Sequence, residues 1–151
     1  GRGYAQFLSI LDEGRIAIAA LSTGLAQGCV DESVRYAGER EAFGQPIARL
    51  QNTRFTLAQA ETEIAACEAF TNACVEAYVR GELSGTAASA LKLHASEMAG
   101  RVADACLQLF GGYGYMREYP ISRFYADSRV QRIYGGTSEI MKELISRDVL
   151  K

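Results

Sequence analysis

Three stretches of this chain repeat their apolar residues with a helical period, and none alternates with the period of a strand. In the first, Phe7, Leu11, Ile18, Leu21 and Leu25 recur at spacings of three, four and seven, with Gly14 in the same stripe. This predicts one long helix from about Tyr4 to about Gly38. The second carries Leu57, Ile64, Thr71 and Tyr78 on one seven-residue series and Ala60, Cys67 and Cys74 on its companion. Glu61, Glu63, Glu68 and Glu76 fall mostly outside both series. The third carries Leu91, Ala95, Met98, Val102, Ala105 and Leu109, with Lys92, Glu97, Arg101 and Asp104 assigned to other faces. The breaks fall at "GEREAFGQPIARLQ", "RGELSG" and "GGYGYMREYP", and both prolines, Pro46 and Pro120, lie in them. A short helix around Ile121 to Arg129 follows, then another beginning at Thr137 or Ser138. The expectation is an all-α fold: a single helical domain over residues 1–151, built as an antiparallel four-helix bundle with additional short helices.

A chain of 151 residues can bury one real core. Its formal net charge of −2 gives no basic field for nucleic acid or an anionic membrane. No apolar run approaches the roughly 20 residues of a membrane span. The opening "GRGYAQF" has neither Met nor a signal pattern, so the chain reads as a fragment cut from a longer protein. The four cysteines form no CxxC and sit among alanines and aliphatics, which predicts buried, reduced thiols and a reducing compartment. The single His94 builds no metal site, which excludes a di-iron bundle with its Glu-x-x-His pairs.

Chemistry is concentrated where glycines interrupt helices. In "YGGTSEI", Gly135 and Gly136 permit positive φ and close backbone approach. Thr137 or Ser138 can cap the helix that follows, and Glu139 suits its first turn. "QLFGGYGYMREYP" is a second glycine-rich helix end, dense in aromatics. "REAFGQPI" sets Arg40 beside Phe43; Arg suits bidentate phosphate recognition, and Phe43 could cover a flat ring. Singly, each also reads as an ordinary helix end or a surface ion pair. A helical interaction module is the rival class, but it gives no reason for glycines at three separate helix ends.

Together with "LDEGRI", these segments make the chain resemble the C-terminal helical domain of the acyl-CoA dehydrogenase family. The order and spacing of "LDEGRI", "REAFGQPI" with "LQ", "QLFGGYGYMREYPISRFYAD" and "IYGGTSEIMKEL" agree over nearly all residues. The resemblance implies a longer subunit with a helical N-terminal domain and a middle β-domain, neither of them present here. It implies an enzyme that uses FAD to oxidise acyl-CoA thioesters to trans-2-enoyl-CoA. It also implies an electron-transfer flavoprotein as electron acceptor, a homodimeric or tetrameric assembly, and a bacterial cytoplasmic or mitochondrial matrix location. Position by position, Arg40 and Gln51, with Phe43 beside Arg40, match residues that reach FAD from the neighbouring subunit. Gln108, Leu109, Phe110, Gly111 and Gly112 match a second FAD-binding stretch, and Thr137, Ser138 and Glu139 a third. Asp12, Glu13, Gly14, Arg15, Gly135 and Gly136 match the acyl-CoA wall, and Tyr134 an aromatic near the thioester.

The reaction needs a base for the α-proton, and a desolvated carboxylate is the expected one. Most of the family places Glu directly after the Tyr of the last motif, where this chain has Gly135. Members resembling the long-chain and isovaleryl enzymes place it directly before the Arg of "LDEGR", where this chain has Gly14. Three readings stay open. Glu13, about 100° and 1.5 Å away on the helix, reaches round as the base; the base comes from a domain outside these residues; or the subunit is catalytically altered and serves a heteromer or other flavin chemistry. Glu139 is a poor base candidate, because enzymes that already have a base also fill its position. The space left by Gly14 and Gly135 hints at bulky or branched acyl groups.

Overall fold

The structure, a computed structural model, describes Gly3 and residues 10–151. Three long helices dominate: α1 (Leu11–Glu39), α2 (Gln51–Val79) and α3 (Gly85–Phe110). Two shorter ones follow, α4 (Pro120–Ser128) and α5 (Ser138–Val149). The all-α fold is as expected. The start of α1 near Tyr4, and Phe7 with it, lie outside the described residues.

Consecutive long helices are antiparallel. The Tyr78 hydroxyl at the end of α2 donates to Glu13 at the start of α1 (3.1 Å), and Gln27 of α1 donates to Glu61 of α2 (3.2 Å). Arg101 of α3 pairs with Glu63 of α2 at 2.8 Å. It follows that α1 and α3 run parallel. Gly85 sits beside Asp12 at one end, and Tyr36 stacks on Phe110 at the other with ring centroids 4.1 Å apart. The short helices pack on this pair: Ile121 of α4 and Met141 of α5 are fully buried, and the Phe124 ring lies against Gly28.

Helix ends follow local chemistry. Ser84 caps α3 by accepting from the Ala87 amide (3.1 Å), and Gly111 ends it at φ +56. Pro120 opens α4 at a first-turn position where a missing N–H costs nothing. Thr137 caps α5.

The structure corrects the expected core at three places. The α1 face in the core is mostly small, Ala19, Ser22, Ala26, Cys29, Ser33 and Ala37, with Ile16, Val30 and Tyr36 beside them, rather than the Leu/Ile stripe expected. Leu21 is 57% exposed, Gly14 is exposed, and Ile18 and Leu25 are only half-buried. Small side chains let α1 and α3 approach closely, so size as well as hydropathy selects the contact face. Lys92, expected on a face other than the apolar stripe, is 0% exposed, because α3 is covered by α1 and by α5 together. The break after α1 contains a small antiparallel hairpin, Glu41–Ala42 with Gln45–Pro46. Its two central residues, Phe43 (φ 54) and Gly44 (φ 76), both have positive φ, as a type I′ turn requires. Ala60, Cys67 and Cys74 form the buried face of α2 as expected, joined by Ile64 and Thr71 of the other series, while Tyr78 at the end of that series is exposed; all four cysteines are buried and free.

Candidate functional site

The predicted residues gather at two ends of the α1–α3 pair. At the C-terminal end, Tyr36, Arg40, Gln108, Phe110, Gly111 and Tyr113 line an open groove of about 570 Å³, with Leu109 and Gly112 also on its wall. Two of the three glycine-interrupted segments therefore share one surface. The helix ends exposed, at Gln108, Gly111 and Gly112, and an added Cβ would meet nothing within 4 Å at either glycine. The Arg40 guanidinium lies 5.7 Å from the Tyr113 ring centroid, which steadies a long cationic side chain at the rim. Beneath it, Tyr36, Phe110 and Tyr119 form an aromatic floor, and burial raises the Tyr36 phenol above its ordinary range. A guanidinium, an amide and bare glycine backbone above an aromatic floor suit an anionic group attached to a flat ring. Phe43, at the tip of the hairpin, is 91% exposed with its backbone in the left-handed region, a conformation that a bulky residue adopts only when surrounding structure imposes it. Gln51 heads α2, exposed and outside the groove lining.

At the other end, the turn before α5 carries Gly135 (φ 65) and Gly136 (φ 111). A Cβ on Gly135 would run into Ile18 Cδ1, and one on Gly136 would lie 2.5 Å from Met141 Cε. The turn is tied down from below. The buried Lys92 ammonium donates to the Gly136 carbonyl (2.6 Å), and the Ser138 hydroxyl donates to Glu97 (2.6 Å). Burial lowers the Lys92 ammonium below its ordinary range, and the nearby Arg15 charge adds to this while Glu97 opposes it. Arg15 is itself buried, donating to Asp12 at 2.7 Å, and its Nε has no partner among the described residues. Tyr134 is exposed. Glu139 is exposed. The hydrogen bond to its own backbone amide, then one from Thr137, lowers its carboxyl below the usual range.

Glu13 does not join this turn. Its carboxylate accepts from Tyr78 on α2, and that bond holds the Tyr78 phenol above its usual range. Ile18, the neighbour of Gly135, is five residues further along α1, about 140° round the helix. Gly14 faces open space.

The two ends are about 28 Å apart along α3, from Lys92 to Gly111 at 1.5 Å per residue. One chain thus brings Arg40 together with Gln108–Gly112, and Arg15 near the Lys92 that holds the Gly136 turn, but not the first group with the second. Sequence reasoning missed Ile18, Lys92 and Tyr36 at these sites. A lysine falling within the apolar third segment, next to Leu91, was the one available signal for Lys92.

The family described as "Acyl-CoA dehydrogenase, C-terminal domain" matches residues 1–150. The long-chain specific acyl-CoA dehydrogenase of Sus scrofa mitochondria is 42% identical over 149 residues, which cover 99% of this chain and 35% of that protein. Acryloyl-CoA reductase (NADH) of Anaerotignum propionicum is 40% identical over 151 residues, 100% of this chain and 38% of that protein. The solved structure of butyryl-CoA dehydrogenase from Megasphaera elsdenii superposes with a TM-score of 0.96 at 32% identity, covering 100% of this chain and 39% of that one. This chain therefore spans well under half the length of each of these relatives. Residues 1–150 belong to the acyl-CoA dehydrogenase family, as its C-terminal domain.

Proposed function

We propose that these residues are the C-terminal domain of a FAD-dependent acyl-CoA dehydrogenase, whose full chain also has a helical N-terminal domain and a middle β-domain. The reaction is α,β-dehydrogenation of an acyl-CoA thioester to trans-2-enoyl-CoA. The observation that carries this reading is the pair of glycine-built walls at opposite ends of α1 and α3.

The donor set of the groove fits FAD: Arg40 and Gln108 meet a pyrophosphate, and Gly111 and Gly112 admit close approach. When bound, FAD supplies the two-electron acceptor for the hydrogen leaving the β-carbon. Arg40, Phe43, Gln51 and Gln108–Gly112 hold the cofactor of a neighbouring subunit, and Thr137–Glu139 hold the cofactor of their own. Asp12–Arg15 and Tyr134–Gly136 form the wall for the acyl-CoA, with Gly14 giving room for bulky or branched acyl groups. Because the two walls are too far apart to share one bound nucleotide within a chain, the protein acts as a homodimer or tetramer. Electrons leave to an electron-transfer flavoprotein, in bacterial cytoplasm or mitochondrial matrix. No described helix is long and apolar enough to cross a membrane.

The base is assigned to a carboxylate outside residues 1–151, since Glu13 is engaged by Tyr78 on the far side of α1. A second reading has its own support: with glycine at both positions 14 and 135, the protein is an altered subunit of a heteromer or runs other flavin chemistry. The full-length protein, purified and mixed anaerobically with a panel of acyl-CoAs, separates these. Yellow protein bleached by an acyl-CoA supports the dehydrogenase. Yellow protein that none bleaches supports the altered subunit, and protein that takes up no FAD removes both.

A further inference from the structure

Lys92 has no part in the function just proposed. It is among the largest fully buried side chains, and among the described residues its ammonium reaches one acceptor, the Gly136 carbonyl at 2.6 Å. A buried cation costs several kcal/mol unless well paired, and a methionine would fill the same space without that cost. Glu97, the carboxylate whose charge acts on Lys92, is occupied: it accepts from Ser138 at 2.6 Å and lies 3.5 Å from Arg132. Lys92 is thus spent on a backbone carbonyl in a turn whose two glycines both have positive φ.

The peptide geometry gives that contact a direction. No described peptide bond is cis. In a trans peptide the C=O and the following N–H point opposite ways. With the Gly136 carbonyl drawn inward to Lys92, the Thr137 N–H of the same peptide faces outward. A cation on the carbonyl also polarises the peptide and strengthens its N–H as a donor.

We propose that Lys92 is a positioning residue: it holds the Gly136 carbonyl inward, fixes the Gly135–Gly136 turn, and presents the Thr137 N–H to whatever oxygen the ligand places there. It touches neither substrate nor cofactor. This deepens the functional reading above and rests on it for the identity of the ligand, while the anchoring itself is testable without any ligand.

The test uses the full-length protein and Lys92→Met, which removes the donor and keeps the volume. Hydrogen exchange of peptides covering residues 133–140 is followed by mass spectrometry. Loss of a charged hydrogen bond should speed exchange at the turn about tenfold or more, with α2 unchanged. Cys67→Ala, buried on α2 away from the turn, controls for general loosening and should leave the turn as in wild type. Gly136→Ala perturbs the same turn from the Met141 side, and the double variant should exchange no faster than the faster single one. Turn exchange in Lys92→Met within about twofold of wild type, equal acceleration by Cys67→Ala, or full additivity with Gly136→Ala each overturns the proposal. In FAD-loaded protein, Lys92→Met should lower kcat about tenfold with KM little changed, the signature of a donor aligned for the reacting state; a rise in KM alone overturns that part. If wild type takes up no FAD, the functional reading fails, and the exchange arms still decide the anchoring.

Discussion

Ile18 Cδ1 stands where a side chain on Gly135 would have to go. The two positions face each other across the α1 edge of the turn, and Gly135 has φ +65. Gly135→Ala therefore meets a contact as well as a left-handed backbone, and should cost about 2 kcal/mol. Ile18→Ala removes the contact but not the backbone strain. The double variant should recover about 1 kcal/mol relative to the sum of the singles, read from denaturant midpoints in a double-mutant cycle. Strict additivity would mean that Ile18 does not crowd this position.

Glu13 and Tyr78 make their hydrogen bond on the α2 side of α1. Glu13→Gln and Tyr78→Phe should each leave the rate of anaerobic flavin reduction by acyl-CoA within about twofold of wild type, because a lost general base costs about 100-fold or more. A fall of that larger size in Glu13→Gln alone would return the base to Glu13. The measurement is stopped-flow absorbance of the bound flavin.

Arg40 rims the groove over Tyr113. Charge-assisted hydrogen bonds are worth about 1.5–3 kcal/mol, so Arg40→Ala should raise the dissociation constant for FAD about 10- to 100-fold. Arg40→Lys keeps the charge and loses the planar fork, and should fall between. Flavin fluorescence titration of the full-length apoprotein reads this directly. A change below about threefold would remove Arg40 from the nucleotide wall.

Burial, reinforced by the neighbouring Cys106, raises the Cys29 thiol from 9.0 to about 12. Between those values the unfolded chain has lost this proton and the folded chain keeps it. The stability gained from keeping the thiol neutral is whole below pH 9 and is lost as pH rises towards 12. Urea midpoints should fall across that window, by up to about 1.4 kcal/mol per pH unit for this one group. Cys29→Ala or Cys29→Ser should flatten the alkaline slope, and native protein at pH 8 should resist thiol alkylation until unfolded.

Where apolar spacing and helix punctuation coincide, the fold was legible. The stripe Leu91, Ala95, Met98 and Val102 is the buried seam of α3, and Gly111, Pro120 and Thr137 mark helix ends where their conformations demand them. The seam of α1 was not legible, because it is built largely of small residues, Ala19, Ser22, Ala26, Cys29 and Ser33, with only Ile16, Val30 and Tyr36 as large apolar members. Close helix approach rewards small volume, and the serines return their hydroxyls to the helix itself, as Ser33 does to the Cys29 carbonyl. The hairpin at 41–46 was hidden because Phe43 occupies a turn position usually given to Asn, Asp or Gly. At the candidate site, the glycine-rich segments were legible as helix interruptions, and the structure gathers two of them, residues 40–47 and 108–113, on one groove. Lys92 could not be placed, since its burial depends on α5 folding back over α3, more than forty residues later in the chain.

The roughly 28 Å of α3 between Lys92 and Gly111 has a genetic reading. In the oligomer proposed above, a defect at one end of the helix and a defect at the other would spoil different halves of one assembled site. A chain carrying Arg40→Ala and a chain carrying Lys92→Met, each impaired alone, can then complement one another when co-expressed. Every mixed dimer would own one pocket built from the sound half of each parent and one built from both damaged halves.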